Sequence, residues 1–162
     1  MKRILIPIVL ICLLLVSCVS SEPKLKKYSD KDLISGKIVI QIDQDPKTVS
    51  LSGYGYMFGG FSLYSGTSET VKLGNIENKE AIRKTFVDKG YTILEDINES
   101  DYAVVIESTS NEDFSTVSIG FFEISSNQLL FICEGKYGSG WNVQDDLNQA
   151  LLKALDAVPS LN

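Results

Sequence analysis

Thr116-Val117-Ser118-Ile119-Gly120-Phe121-Phe122-Glu123-Ile124, then Ser125-Ser126-Asn127, then Gln128-Leu129-Leu130-Phe131-Ile132-Cys133-Glu134, is the stretch that decides the architecture. Two strand-length runs rich in β-branched and aromatic residues flank three turn formers, the pattern of an antiparallel hairpin. The segment after the hairpin is helical. Asn142 is suited to capping, and after it Val143, Leu147, Ala150, Leu151, Ala154, Leu155 and Val158 fall on one stripe, opposite Gln144, Asp145, Asp146, Asn148 and Lys153. Such a helix must cover a sheet face.

Upstream, Tyr102 to Glu107 contains Ala103-Val104-Val105-Ile106, a continuous apolar run of strand length that predicts a central strand. Lys37 to Asp43 alternates, with Ile38, Ile40 and Ile42 on one side of an extended chain. Between them Asn75 or Asn78 caps a helix running to about Lys89, with Ile82 and Phe86 four apart on one face and Gly90 placed to stop it. Tyr91 to Leu94 then extends. The expected fold is α+β, a single mostly antiparallel sheet with two helices packed on one face, forming one domain over residues 35–162 without internal repeats.

The beginning of the chain carries a different signal. Lys2 and Arg3 precede Ile4 to Val16, an uncharged run containing Pro7 and ending in Leu15-Val16-Ser17-Cys18. The run is shorter than the roughly 20 helical residues needed to cross a hydrocarbon core about 30 Å thick. Basic residues, an apolar segment and small Ser17 before Cys18 resemble the bacterial lipoprotein signal family. The resemblance implies a signal peptide over residues 1–17, a cut before Cys18, and a diacylglyceryl group on the Cys18 thiol. Several acyl chains give stable anchoring where one holds only marginally. Val19 follows Cys18 in place of an acidic residue, which by the same resemblance favours the outer membrane. An ordinary signal peptide with a chance cysteine, or an uncleaved anchor, is the alternative. Residues 18–34 contain Pro23 and the lysines Lys24, Lys26, Lys27 and Lys31 and lack an apolar period, so they are expected to form a flexible tether with a reach on the order of 20 Å. The lysines either solvate it or touch anionic lipid.

Composition narrows the chemistry. The formal charge of −6 over 162 residues becomes −8 once Lys2 and Arg3 are removed. An acidic body argues against nonspecific nucleic-acid binding, which needs cations to displace phosphate counterions. There is no histidine, which removes the usual general base, serine–histidine triads and histidine metal sites. Loss of Cys12 with the signal and lipidation of Cys18 leave Cys133 as a buried small hydrophobe. Neither metal nor cofactor is expected.

The helix ending Asp88-Lys89-Gly90-Tyr91, the turn Glu99-Ser100-Asp101-Tyr102 and the strand after it resemble small α/β domains of the TolB N-terminus and of lipoproteins that activate penicillin-binding proteins. The likeness covers Ala81 to Ile124. It implies a scaffold or adaptor role, with an envelope protein or peptidoglycan as partner, and transfers no residue. The alternatives are a carboxylate-dependent hydrolase of envelope glycan and a structural surface lipoprotein without a dedicated ligand.

Within the body, Ser52 to Ser65 stands out. Tyr54, Tyr56 and Phe58 alternate before Gly59-Gly60, and Phe61 comes directly after; a hairpin about the glycines would juxtapose these rings as a partner-binding surface, or they cover the sheet. The stretch fails as a nucleotide cradle, because Phe61-Ser62 stands where Lys-Ser or Lys-Thr is required. Tyr137 and Trp141 are a second candidate pair for gripping peptide or glycan, or pack under the helix start. Asp96, Asn98, Ser100 and Glu107 have calcium-loop spacing, yet Asp101 occupies the position that needs glycine. Glu107, Glu112 and Asp113 are the acids a hydrolase would draw on.

Overall fold

A computed structural model describes residues 19–31, 33, 35–57, 60–139 and 142–161, with the backbone alone for residues 19, 50–57 and 60–67. In chain order the elements are β1 (Val19–Ser20), β2 (Lys24–Lys27), β3 (Lys37–Ile42), β4 (Lys47–Met57), β5 (Gly60–Val71), α1 (Ile76–Asp88), β6 (Thr92–Leu94), a 3-10 turn (Ile97–Glu99), β7 (Tyr102–Ser110), β8 (Ser115–Glu123), β9 (Gln128–Gly138) and α2 (Val143–Asp156). The main sheet runs β1-β9-β8-β7-β3-β6, with β2 also on β9. Its β9, β8 and β7 are antiparallel neighbours, whereas β3 lies parallel to both β7 and β6. The parallel pairing of β3 with β6 follows from the α1 crossover, since a helix between two strands returns the chain to the same end.

The decisive hairpin forms as its sequence predicts. Asn127 takes φ 52 in the turn, a conformation that asparagine tolerates, and a bulge after Phe121 leaves Leu130 as an extra residue on β9. Along β7 the burial alternates, and register places Ile38, Tyr102, Val104, Ile106, Val117, Ile119, Phe121 and Cys133 on one face, all buried. Both helices cover that face. The predicted stripe of α2, from Val143 to Val158, is buried at every position. In α1, Ile82 and Phe86 are buried, and the Phe86 ring meets Tyr91 at 5.4 Å and Phe121 at 5.9 Å. Asn75 is the cap of α1 and Gly90, at φ 93, follows its end. Burying each large apolar side chain contributes roughly 1.5–3 kcal/mol, so this layer dominates the stability.

Three expectations need correction. The sheet is not single, because among the described residues β4 and β5 pair only with each other, as a second, two-stranded sheet. The stretch expected as a tether contains strands among its described residues: Val19 and Ser20 pair with Gly138 and Tyr137, and Lys24 to Lys27 pair with Glu134 to Phe131. The cause is an open edge on β9 with acidic groups beside it. Lys26 pairs with Glu134 at 2.6 Å, Lys31 with Glu123 at 2.8 Å, and Tyr28 N donates to Leu130 O. Lysines along the new edge discourage further strand addition. Asp146, expected on the solvent face of the last helix, is 2% exposed. Its carboxylate accepts from Ser139 N at 2.9 Å and from Ser139 Oγ at 2.7 Å, which offsets its burial.

Candidate functional site

One end of the main sheet gathers the ends of β3 and β7, the start of β8, the end of β9, strand β1 and the start of α2. The β4–β5 ribbon is rooted there. Lys47 Nζ sits 2.9 Å from an Asp43 carboxylate oxygen and donates to Ser108 O, and Val49 and Val71 are buried in the core cluster. From β5, Glu69 reaches the N-terminus of α2, where its carboxylate accepts from Val143 N at 3.2 Å and Gln144 N at 3.4 Å. The first amides of a helix lack intrahelical partners and carry partial positive charge, so a carboxylate there is favoured. Lys72 N donates to Gln144 Oε1 at 2.8 Å beside it. The root is thereby latched to the helix.

Beyond the root, the ribbon's composition changes. Thr48 to Ser68 contains no charged residue. Ser50 pairs with Ser68, Ser52 with Ser65, Tyr54 with Leu63 and Tyr56 with Phe61, all on one face, because paired and alternate positions share a side. The opposite face pairs Gly53 with Tyr64, Gly55 with Ser62 and Met57 with Gly60. One face is thus serine near the root and aromatic or leucine farther out. The outermost described pair is Met57 with Gly60.

The predicted site residues separate accordingly. Tyr54, Tyr56 and Phe61 occupy paired and alternate positions of the ribbon backbone. Tyr137 lies at the same sheet end, half-buried and packed against the core rather than displayed. Phe58, Trp141, Cys18 and the Leu15, Val16 and Ser17 before it lie outside the described residues. Sequence reasoning missed Glu69, although an acid closing a long uncharged stretch was a visible signal.

Two openings on the described surface carry acids. A cavity of about 490 Å³ at the far end of the sheet is lined by Asp101, Tyr102 and Glu123. Glu123 is engaged by Lys31 and Ser126, which hold its carboxyl below the usual range, and Asp101 accepts from Ser35 Oγ. An open cleft of about 300 Å³ near the ribbon root contains Asp43 and Glu107, and Lys47 keeps Asp43 low as well. Burial pushes the Cys133 thiol up to about 12, against the opposing charge of Lys89, so it carries no thiolate near neutrality. Asp96 turns its oxygen to Asn98 N at 2.8 Å, whereas Glu107 lies partway along β7, so the calcium-like spacing does not converge. Among the described residues, no group of three or more acids or cysteines is placed to hold a metal ion, and no helix is long and apolar enough to cross a membrane.

No family model matches the chain, and no curated protein does. Among solved structures it is similar to a variant of PelC from Paraburkholderia phytofirmans, a dodecamer, at 12% identity and TM-score 0.45 over 86% of this chain and 99% of that one. A second PelC dodecamer from the same organism matches at 11% identity and TM-score 0.44, over 85% of this chain and 99% of that one.

Proposed function

We propose that the chain is a bacterial envelope lipoprotein, held on the outer membrane by acyl chains on Cys18, and that it works as a binding or adaptor module for another envelope component rather than as an enzyme. The signal-like leader supports the anchor. The observation that carries the binding role is the β4–β5 ribbon, which pairs with no strand of the main sheet and brings Tyr54, Tyr56, Phe61 and Leu63 onto one face. Tyrosine offers large, stiff contact area at low entropic cost. A two-stranded ribbon is marginal by itself in water, so its outer half gains from a partner.

Two measurements test this reading. Intact mass of the membrane-extracted protein should show Cys18 as the first residue, carrying a diacylglyceryl group; a bare thiol removes the anchor. A photoreactive side chain at position 54, 56 or 61 should capture protein or lipid in the native envelope, the two separated by adduct mass. A ribbon that yields neither adduct ends the binding role.

A further inference from the structure

The end of the sheet that roots the ribbon is also the end at which the chain leaves the described residues toward Cys18. Val19, the residue after Cys18, pairs with Gly138, and Ser20 pairs with Tyr137. β1, β9, β8 and β7 are successive neighbours, so the ribbon root on β7 lies about three strand spacings, roughly 15 Å, from β1. A lipid on Cys18 would therefore leave little chain between bilayer and domain, and would hold this end of the domain toward the membrane. We propose that the outer half of the β4–β5 ribbon is a second membrane contact, seated in the headgroup–acyl boundary of the bilayer that holds the anchor. The proposal rests on the lipoprotein reading above and names the component the ribbon takes.

Length and pattern choose between seating and spanning. The Tyr54–Leu63 and Tyr56–Phe61 pairs fall within four paired positions of the tip, and at about 3.4 Å per residue this stretch is about 14 Å long, near half the roughly 30 Å of hydrocarbon. Nearer the root the same face is serine, at Ser50, Ser52, Ser65 and Ser68. A two-stranded ribbon also has unpaired edges, which hydrocarbon does not tolerate across its full depth. Tyrosine is enriched at the membrane interface, where an apolar ring and a polar hydroxyl are both satisfied. The absence of charge from Thr48 to Ser68 removes the main cost of entering that layer.

The test uses the anchored mature protein in vesicles of phosphatidylethanolamine and phosphatidylglycerol, with Tyr56→Trp in a Trp141→Phe background and Tyr54→Trp as a second probe should the first fail to fold. Expected are a blue shift of emission on reconstitution and quenching by acyl-chain bromines. Emission like that of free indole and unquenched, in protein that still floats with the vesicles, overturns the membrane contact and leaves the anchor intact. A blue shift already present before vesicles are added assigns the face to a second copy or to the protein itself, and also overturns it. Protein that neither floats nor carries lipid on Cys18 removes both readings.

Discussion

At Cys133, packing decides reactivity. The thiol lies under α2, donates to Ala157 O at 3.4 Å and is fully buried, so its ordinary value of 9.0 rises to about 12. The unfolded chain loses this proton above pH 9 while the folded chain keeps it, so stability falls as pH rises from 9 toward 12. Tyr91 moves in the same direction, also through burial. Urea midpoints should therefore drop between pH 9 and 11, and Cys133→Ala should make the slope shallower; a thiol reagent should label Cys133 only after unfolding. Glu69 supplies a second test at this scale. Glu69→Gln keeps the shape but removes the charge that caps α2, and should lower stability by about 1 kcal/mol, a shift of a few degrees in a thermal melt. Faster hydrogen exchange at Glu69 to Val71 should accompany it.

At the scale of elements, α2 approaches β9 closely at Gly135. A Cβ on Gly135 would stand 2.1 Å from Ala150 O and 2.4 Å from Ala154 N, both backbone atoms that cannot turn aside. Gly135→Ala should therefore lift the helix and cost about 3 kcal/mol or more, read as a lower urea midpoint. Gly120→Ala is the contrast. Its Cβ would meet the Phe122 ring edge at 3.0 Å, on the open face where Val39, Val105, Phe122 and Ile132 are only half-buried, and a cost under about 1 kcal/mol is expected. Elements with a clear period were legible: the isoleucines of β3, the caps of α1 and α2 and the turn at Asn127 stand where their sequence puts them. The ribbon was legible only at Tyr54 to Phe61. Its root, Lys47 to Ser50 and Ser68 to Val71, mixes serine, threonine and single apolar residues, so no period announces a strand there.

For the whole molecule, the least legible feature was the seating of the first described residues. A run of lysines reads as solvated because its partners, Glu123 and Glu134, lie far along the chain and come close only through the sheet. Asp146 escaped for a like reason, since the Ser139 groups that satisfy it are brought near by the loop before the helix. The Lys31–Glu123 contact has a pH signature. Glu123 titrates below its ordinary 4.5 because Lys31 and Ser126 favour the carboxylate, so the contact's contribution is present above that value and fades as pH falls through the lowered one. Hydrogen exchange should show the Tyr28 and Ser29 amides, which donate to Leu130 O, losing protection in acid before those of β7 and β8 do.

The pairing of β2 with β9 also sets an order of events. Lys24 lies early in the chain and Glu134 late, so β2 has no neighbour until the last strand, β9, is in place. Contacts so distant along the chain are slow to close. Until β9 is in place the segment from Val19 to Lys27 has no sheet to lie on, and only afterwards does it close over that edge.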